Sequence, residues 1–357
     1  MISLELVPGT RCQLSCRNCY KLGQSDIKSV TEHIGDMPFG FAEDILKQAH
    51  EYGFAEVAFI GGEPTLHPQL PRLVNGVLAM GLKPIVCTNG ILMADPVYAA
   101  EIAQPGVTIV IHAPLPAIAA GLHDIHVGMA GYNDLLYKAC ENLSACNDVT
   151  LVAEIVIIRP FLPFIPEVLR WCHRQGARPF IEMNRRYDNM GKFIDSASPE
   201  ETKELFELLA TEESLPPKLL MPPIYGQPCT MSITGIHVKN YGNGDCGRVY
   251  SCCAQGICHG DLRDDNLASI LARTSFEVFQ KQDIWIAGPC RQCEDYRLCR
   301  GGCRGEAFLA FGCARASCPV CWKIPAEIRC DSSVMCPSEC SGCPLEGTCQ
   351  PHRLMSG

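Results

Sequence analysis

Short, almost uninterrupted apolar runs alternate along the first half of the chain with longer segments whose apolar residues recur at helical spacing. Six apolar runs predict β-strands at residues 2–7, 56–60, 83–88, 107–112, 150–158 and 179–184. Helical periodicity predicts α-helices at residues 39–52, 70–80, 96–102, 132–145 and 166–175. Strands that are apolar on both faces are typical of a parallel sheet covered by helices. The alternation therefore predicts an α/β fold in which right-handed crossovers connect parallel strands.

The pattern changes after residue 190. Ser198, Pro199 and Glu201 form a helix start, with serine as the N-cap, proline at the first helical position and glutamate at the third. We expect this helix to lie in a bridge, residues 191–228, between an α/β unit of residues 1–190 and a second region of residues 229–325. Residues 326–357 form a cysteine-rich tail.

Cysteine is the outlier of the composition, because the chain has 24 of them and 17 lie from Cys229 onward. Such a set is either the disulfide framework of a secreted protein or a set of thiolate metal ligands in a reducing compartment. The N-terminus lacks the basic segment of a signal peptide, and many cysteines stand in C-x2-C pairs, so ligands are favoured. We therefore expect a cytoplasmic protein in a low-oxygen, anaerobic setting.

Charge and hydropathy argue against two classes of partner. A net charge of −9 disfavours nucleic acid, whose binding needs a basic face. No apolar run approaches the ~20 residues that span a bilayer, so we expect no membrane partner.

Two motifs in the α/β unit carry the chemistry. Cys12, Cys16 and Cys19 follow the first strand in a C-x3-C-x2-C spacing. A cubane iron–sulfur cluster takes four ligands, usually cysteines, so three would leave one iron open to a small molecule. The second motif, Gly-Gly-Glu-Pro at residues 61–64, follows the second strand, and its glycines let the backbone approach a ligand closely. The cysteine motif alone is also compatible with a zinc knuckle or an unrelated cluster loop.

Together, the two motifs make the chain resemble the radical S-adenosylmethionine (SAM) superfamily. The resemblance implies a partial (β/α)6 barrel with the substrate at the carboxyl ends of its strands. It also implies that SAM is chelated by the open iron of a [4Fe-4S] cluster and is cleaved by one electron to a 5′-deoxyadenosyl radical. The SAM amino group is then expected at Gly61, Gly62, Glu63 and Pro64. An electron donor such as flavodoxin or ferredoxin is implied as a partner.

The cysteines of the second region resemble the SPASM domain, which carries two auxiliary clusters in many radical SAM enzymes. The resemblance rests on a C-x2-C-x5-C-x3-C run from Cys290 to Cys303 and on Gly247, five residues before Cys252. It implies one auxiliary [4Fe-4S] cluster on Cys229, Cys246, Cys252 and Cys303. It implies a second on Cys290, Cys293, Cys299 and Cys321, with Cys313 and Cys318 as rivals for the last position. Two zinc sites are the alternative, since thiolate pairs suit zinc equally well.

The tail departs from the SPASM pattern. Cys336, Cys340, Cys343 and Cys349 offer ligands for a third auxiliary cluster or for zinc. So short a segment lacks a core of its own, and a metal would help it to fold. An inert cysteine-rich extension is the alternative.

Two further residues bear on catalysis. Cys253 follows a predicted cluster ligand, at the place where sulfatase-maturating relatives carry an aspartate base. It is the candidate catalytic thiol, and a spare thiol is the alternative. Glu154 interrupts an apolar strand, and a buried carboxylate needs a partner, for which Arg159 and Arg185 are available.

The resemblance thus implies a radical SAM/SPASM oxidoreductase or maturase. It would abstract hydrogen from an unactivated carbon of a peptide, protein or small-molecule substrate, leading to oxidation, cross-linking or epimerisation. The first strand begins at residue 2, so no N-terminal leader-binding domain is expected. The alternative from another class is a non-catalytic iron–sulfur electron carrier or scaffold protein.

Overall fold

A single β-sheet organises the computed structural model, which describes residues 1–17, 19, 35–183, 195–212, 231–253, 256–339 and 341–346. Its strands are β1 (Ile2–Val7), β2 (Glu56–Gly61), β3 (Lys83–Thr88), β4 (Thr108–His112), β5 (Thr150–Ile157), β6 (Arg178–Met183), β7 (Ile236–Asn240), β8 (Cys246–Tyr250) and β9 (Cys258–Asp261). Their order across the sheet is β6-β5-β4-β3-β2-β1-β7-β8-β9. Strands β1 to β6 are parallel to their neighbours, as expected for an α/β barrel.

Helices connect the parallel strands. The helices are α1 (Phe39–Tyr52), α2 (Leu70–Ala79), α3 (Pro96–Ile102), α4 (Ala120–Val127), α5 (Tyr132–Ser144), α6 (Ile165–Gln175), α7 (Pro199–Glu212), α8 (Met231–Thr234), α9 (Leu267–Leu271), α10 (Glu277–Gln280), α11 (Gln282–Trp285), α12 (Tyr296–Cys299), α13 (Arg304–Phe311) and α14 (Ser332–Met335). Every strand and helix predicted up to residue 183 is present with ends within one residue of the prediction, and the predicted end of β6 at residue 184 lies outside the described residues. The predicted α/β class is confirmed. Of the helices that the structure describes, none has the length and apolar character needed to cross a bilayer.

β1 lies between the barrel strands and the second region. All six of its residues are buried, and it pairs in parallel with β2 on one side and β7 on the other. β7, β8 and β9 then form an antiparallel extension of the same sheet. The predicted start of the second region at residue 229 lies outside the described residues, and the barrel sheet continues into that region through β7, β8 and β9. The sequence did not predict β7, because the strand contains the polar residues His237 and Asn240. Both are nevertheless buried.

α7 begins as the sequence predicts. Glu201 N–H donates to Ser198 Oγ at 3.1 Å, and Ser198 N–H donates to the Glu201 carboxylate at 2.7 Å, which completes a capping box. The same carboxylate pairs with Arg159 of the barrel, with 2.9 Å between Arg159 Nε and Glu201 Oε1.

Other residues of α7 contact the second region and the tail. Phe206 packs edge-on against Trp322 with ring centroids 5.7 Å apart, and Arg329 Nη1 lies 2.6 Å from Glu200 Oε1. The helix therefore bridges the barrel and the cysteine-rich region, within the part of residues 191–228 that the structure describes.

A buried polar chain joins β1 to β7. Glu5 Oε1 lies 2.7 Å from His237 Nε2, and His237 Nδ1 lies 2.8 Å from Ser3 Oγ. Glu5 Oε2 accepts the N–H of Asn240 at 3.1 Å. None of these residues is more than 5% exposed, so each polar atom depends on a protein partner. The chain fixes the pairing of the barrel with the second region.

We expect Glu5→Ala to lower the free energy of unfolding by about 3 kcal/mol, because it leaves buried donors at His237 and Asn240 without their acceptor. Urea unfolding of the anaerobic protein measures the effect. The matched control is Glu56→Ala, whose exposed pair with Lys83 spans 3.9 Å and should contribute under about 1 kcal/mol. Equal losses in the two variants would contradict the expectation.

Candidate active site

The loop after β1 carries the three predicted cluster cysteines and is held by α4. The N–H of Ser15 donates to Val127 O at 2.9 Å, and the N–H of Arg17 donates to His126 O at 3.0 Å. These carbonyls belong to the last turn of α4, where free backbone acceptors are available. The sequence did not predict α4, so this support for the loop emerges only from the fold.

One cavity of about 350 Å³ lies at the carboxyl ends of the parallel strands. The predicted site residues that line it are Cys12, Cys16, Cys19, Gly61, Gly62, Glu63 and Cys253. Pro64 is buried instead as the first residue of a 3-10 turn, Pro64–Leu66. Cys12 and Cys253, which are 241 positions apart in the sequence, thus line the same cavity.

The two glycines of the second motif are required by the cluster loop itself. A β-carbon on Gly61 would lie 2.4 Å from Val7 O, and one on Gly62 would lie 2.3 Å from Arg11 O. Gly61 also has a φ of 152°, at the edge of the range that side chains rarely adopt. The end of β2 therefore packs directly on the backbone that leads to Cys12.

Glu63 is 1% exposed, and its carboxylate holds the ends of β2 and β3 together. Oε1 accepts from Thr65 N–H at 3.1 Å and from the hydroxyls of Thr65 and Thr88 at 2.6 Å each. Of these hydrogen bonds, Oε2 accepts one, from the Asn89 N–H at 2.7 Å. A carboxylate oxygen can accept two hydrogen bonds. Burial raises the pKa of Glu63, and these hydrogen bonds act in the opposite direction. Oε2 keeps capacity for one further donor from the cavity, such as an amino group.

The thiols of the loop lie in a buried site with neighbouring negative charge, so a positively charged partner would stabilise their thiolate forms. Burial, followed by the charge of Glu63, raises the pKa of Cys12 to about 12. Burial, followed by repulsion from Cys19 and Cys12, raises the pKa of Cys16. Bound iron would offset these costs and keep all three as thiolates. In the described residues, no three His, Cys, Asp or Glu side chains are arranged to hold a single metal ion, but a multi-atom cluster does not need ligands that close.

His112 and Glu154 form a polar pair in the cavity wall. They are cross-strand neighbours at the ends of β4 and β5, with 3.5 Å between His112 Nε2 and Glu154 Oε2. Tyr132 donates its hydroxyl hydrogen to Asn89 O at 2.8 Å, so its oxygen can accept from His112 Nδ1 at 3.3 Å. His112 Nε2 is then the nitrogen that faces Glu154.

This pair corrects the sequence expectation for Glu154. Its partner in the described structure is a histidine, whereas Arg159 is engaged by Glu201 and Arg185 lies outside the described residues. The alternation within single strands could not reveal the pair, because His112 and Glu154 become neighbours only through the register of β4 and β5.

α4 contributes two neutral imidazoles that sequence reasoning missed. His123 and His126 both line the cavity, one helical turn apart. Burial lowers the pKa of His123 to about 4 and that of His126 to about 3, so both are uncharged at neutral pH. His123 Nδ1 donates to Asn133 Oδ1 at 2.9 Å, which fixes its ring.

The second predicted set of auxiliary cysteines is brought together. Burial and then the charges of Cys321 and Cys290 raise the pKa of Cys299 to about 12. Burial raises the pKa of Cys321, and the neighbouring Cys290 and Cys293 raise it further. The four cysteines therefore lie near one another, although residues 299 and 321 are far apart in the chain.

The first predicted auxiliary set is not brought together in the same way. Cys229 lies outside the described residues. Cys246 is the first residue of β8 and Cys252 lies two residues beyond its end, and β8 alone spans roughly 13 Å at about 3.3 Å per residue. The charged neighbours of Cys246 are Arg263, Asp261 and Asp245. These positions argue against one cluster that takes both Cys246 and Cys252.

The tail packs on the second region through two separate apolar clusters. Cys336 packs with Met335 and Phe311, whereas Cys343 packs with Phe279 and Leu345. Cys340 and Cys349 lie outside the described residues. This separation argues against a third cluster that holds both Cys336 and Cys343, and it gives the tail a core that the sequence did not predict.

Known proteins provide the comparison for this site. Residues 6–159 match the sequence model of the radical SAM superfamily. The chain is 25% identical over 335 residues to a PqqA peptide cyclase of Gluconobacter oxydans, covering 91% of each protein. It is 24% identical over 345 residues to an AdoMet-dependent heme synthase of Oleidesulfovibrio alaskensis, covering 88% of this chain and 86% of the relative.

Solved structures share the fold. Native anSMEcpe with bound AdoMet aligns with a TM-score of 0.63 at 18% identity, over 86% of this chain and 90% of that one. SuiB of Streptococcus suis bound to S-adenosylmethionine aligns with a TM-score of 0.63 at 16% identity, over 86% and 73% of the two chains.

The fold, the cysteine loop and these matches define a radical SAM enzyme, which binds S-adenosylmethionine and a [4Fe-4S] cluster. Residues 6–159 belong to the radical SAM superfamily, and the whole chain resembles radical SAM enzymes of the SPASM type. The predicted family, enzyme class and cofactors are confirmed.

Proposed function

We propose that this enzyme abstracts a hydrogen atom from an unactivated carbon of a peptide substrate. The observation that carries the proposal is that Cys12, Cys16, Cys19, both motif glycines and Cys253 line the same cavity. The cluster loop, the SAM-binding motif and a thiol from the second region all reach it.

Two observations support a peptide. The cavity of about 350 Å³ is near the lower end of the ~300–1,000 Å³ of ligand pockets, and SAM must share it. A substrate that extends beyond the cavity, as a peptide chain can, is compatible with this volume. The relatives also include PqqA peptide cyclase at 25% identity. A small molecule is the second candidate, favoured by the match to AdoMet-dependent heme synthase.

The residues present fit the cofactors. Cys12, Cys16 and Cys19 would hold the cluster and residues 61–63 would hold SAM, and together these groups supply a 5′-deoxyadenosyl radical. Asn89 positions the loop, because its side-chain N–H donates to Gln13 Oε1 at 2.9 Å and lies 3.7 Å from Cys12 Sγ. His123 and His126 add neutral walls that help to exclude water.

His112 and Glu154 are the groups placed to move a proton in this cavity. Both side chains are partly exposed, at 27% and 22%, and they face each other across 3.5 Å. A proton released by the substrate during oxidation or cross-linking would be shared between the imidazole and the carboxylate. Epimerisation would instead require a hydrogen atom to return to the carbon.

The thiolate-rich sites also support a low-oxygen, reducing cytoplasm and a flavodoxin or ferredoxin as electron donor. The auxiliary metal sites are proposed as iron–sulfur clusters on the same ground, with zinc as the alternative.

The test is an anaerobic assay of the reconstituted, reduced protein. It should convert SAM to 5′-deoxyadenosine and methionine, and a co-expressed candidate peptide should show a hydrogen-loss mass change. SAM cleavage with modification of a small molecule alone would favour the second candidate. Electron transfer without any SAM cleavage would contradict the enzyme and fit the carrier alternative.

Cys253→Ala distinguishes the roles of that thiol. If Cys253 returns a hydrogen atom to the substrate, the variant should still form 5′-deoxyadenosine with substrate present but release no product, with its iron content unchanged. Product analysis and iron assay measure both effects. Normal turnover would identify a spare thiol, and a loss of about four iron atoms would identify a cluster ligand.

A further inference from the structure

Cys318 lies against the turn that carries Cys303. A β-carbon placed on Gly302 would be 2.7 Å from Cys318 Cβ and 3.0 Å from its Sγ. Cys318 is 1% exposed, and burial followed by the charge of Cys303 raises its pKa. The two thiols are therefore close neighbours, with Cys318 buried and Cys303 partly buried.

The local backbone separates Cys303 from Cys299. Arg300, Gly301 and Gly302 have φ angles of 55°, 74° and 72°, so three successive residues adopt the left-handed conformation. This turn redirects the chain between the two cysteines. Cys299 lies with Cys290 and Cys321, whereas Cys303 lies with Cys318.

The two cysteines of the C-x2-C pair, Cys318 and Cys321, also lie in different groups. The N–H of Cys321 donates to Cys318 O at 3.3 Å, which keeps the segment in a tight turn. Cys321 lies near Cys290 and Cys293, on the side of the other set. Both short segments, 299–303 and 318–321, thus connect the two groups of cysteines.

A buried cation gives a second reason to expect negative charge here. Arg304 is 2% exposed, and its Nη1 donates to Ala316 O at 2.6 Å while Nη2 donates to Gly301 O. These contacts join the turn before Cys303 to the segment before Cys318. A buried guanidinium is costly without an anionic partner. Metal-bound thiolates at Cys303 and Cys318 would supply that charge.

We propose that Cys318 is a metal ligand together with Cys303, in the auxiliary centre next to the one held by Cys290, Cys293, Cys299 and Cys321. Cys246, which lies in the main apolar core at the far end of β8, is then not a ligand of this centre. The proposal depends on auxiliary clusters in the second region but not on the identity of the substrate. The metal it would take is iron in a cluster, as proposed above for the neighbouring centre, because thiolate donors by themselves suit both iron–sulfur clusters and zinc.

The test is the metal content and spectroscopy of Cys318→Ser after anaerobic reconstitution. We expect the loss of about four iron atoms per chain relative to the unmodified enzyme. The low-temperature electron paramagnetic resonance signal of one reduced cluster should disappear. Uncoupled SAM cleavage should persist, because the cluster at residues 12–19 is elsewhere. Cys246→Ser, a buried cysteine excluded from the centre, is the matched control and should keep full iron.

Two further variants make the result specific. Cys303→Ser with Cys318→Ser should lose no more iron than Cys303→Ser alone, because both ligands serve one centre. Cys318→Asp, which offers a carboxylate at the same position, should keep the iron but shift the reduction potential and the signal of that one cluster.

Full iron with unaltered spectra in both Cys318→Ser and Cys318→Asp would overturn the proposal. Additive iron loss in the double variant would also overturn it, by assigning Cys318 to a different centre. If the unmodified enzyme cleaves no SAM, the proposed function fails while the iron measurements still decide the role of Cys318.

Discussion

Replacing Cys12, Cys16 and Cys19 together with alanine is expected to abolish SAM cleavage. The variant should lose about four iron atoms, those of one cubane, and retain the auxiliary iron. The reason is the geometry of the cavity, in which these three thiols are adjacent to the Gly-Gly-Glu motif that would hold SAM. Detection of 5′-deoxyadenosine by chromatography, together with iron and sulfide analysis, measures the result.

A second triple variant controls for the loss of three thiols. Cys146, Cys258 and Cys330 are partly or fully exposed and belong to none of the proposed sets, so their replacement by alanine should leave iron content and SAM cleavage unchanged. SAM cleavage that persisted in the Cys12/Cys16/Cys19 variant would show that the SAM site lies elsewhere.

Gly62→Ala should weaken SAM binding by about 100-fold or more, even though alanine adds only one methyl group. The new β-carbon would lie 2.3 Å from Arg11 O and 2.6 Å from Pro8 O, and both are backbone atoms that cannot rotate away. The loop that carries Cys12 would have to shift away from the motif that would hold SAM, and a loss of about 2.8 kcal/mol of binding free energy corresponds to a 100-fold weaker affinity. Equilibrium dialysis of SAM with the reconstituted protein, and its iron content, measure the effect.

Gly76→Ala is the matched control for Gly62→Ala. Gly76 lies inside α2, and a β-carbon there would meet nothing within 4 Å. We expect unchanged SAM affinity and a gain in stability of roughly 0.5–1 kcal/mol, because alanine is the better helix former. A Gly62→Ala enzyme with normal SAM affinity would show that the end of β2 does not position the cluster loop.

The barrel half could be predicted because its signals are local. Each parallel strand is a run apolar on both faces, and each helix shows its own period, so no knowledge of the partner element is needed. Ser198 and Glu201 are three residues apart, and their capping box follows from that spacing. The sequence singled out the glycines at 61 and 62 for close approach of a ligand, which stays a prediction. Their contacts with the backbone at Val7 and Arg11 required the fold.

The second region was harder to predict because its strands and its cysteines depend on distant partners. β7 contains His237 and Asn240, two polar residues that the sequence pattern alone assigns to the surface. Both can be buried because Glu5 of β1 forms hydrogen bonds with them. The tail similarly obtains its apolar contacts from residues 257–316. Nothing in the spacing of Cys336 and Cys343 indicates that they pack into two different apolar clusters.

The sequence by itself indicated the radical SAM resemblance, the α/β fold and the candidate residues for the reactive cofactors, because cysteine spacing and strand periodicity are properties of short segments. Only the tertiary structure decided which distant groups share the cavity. It brought α4 to the cluster loop, paired His112 with Glu154 through strand register, and placed Cys253 in the cavity and Cys318 beside Cys303. These contacts join residues that are far apart in the sequence, and no periodic pattern along the chain indicates that they are neighbours. They form only when the sheet has fixed the order and register of its strands.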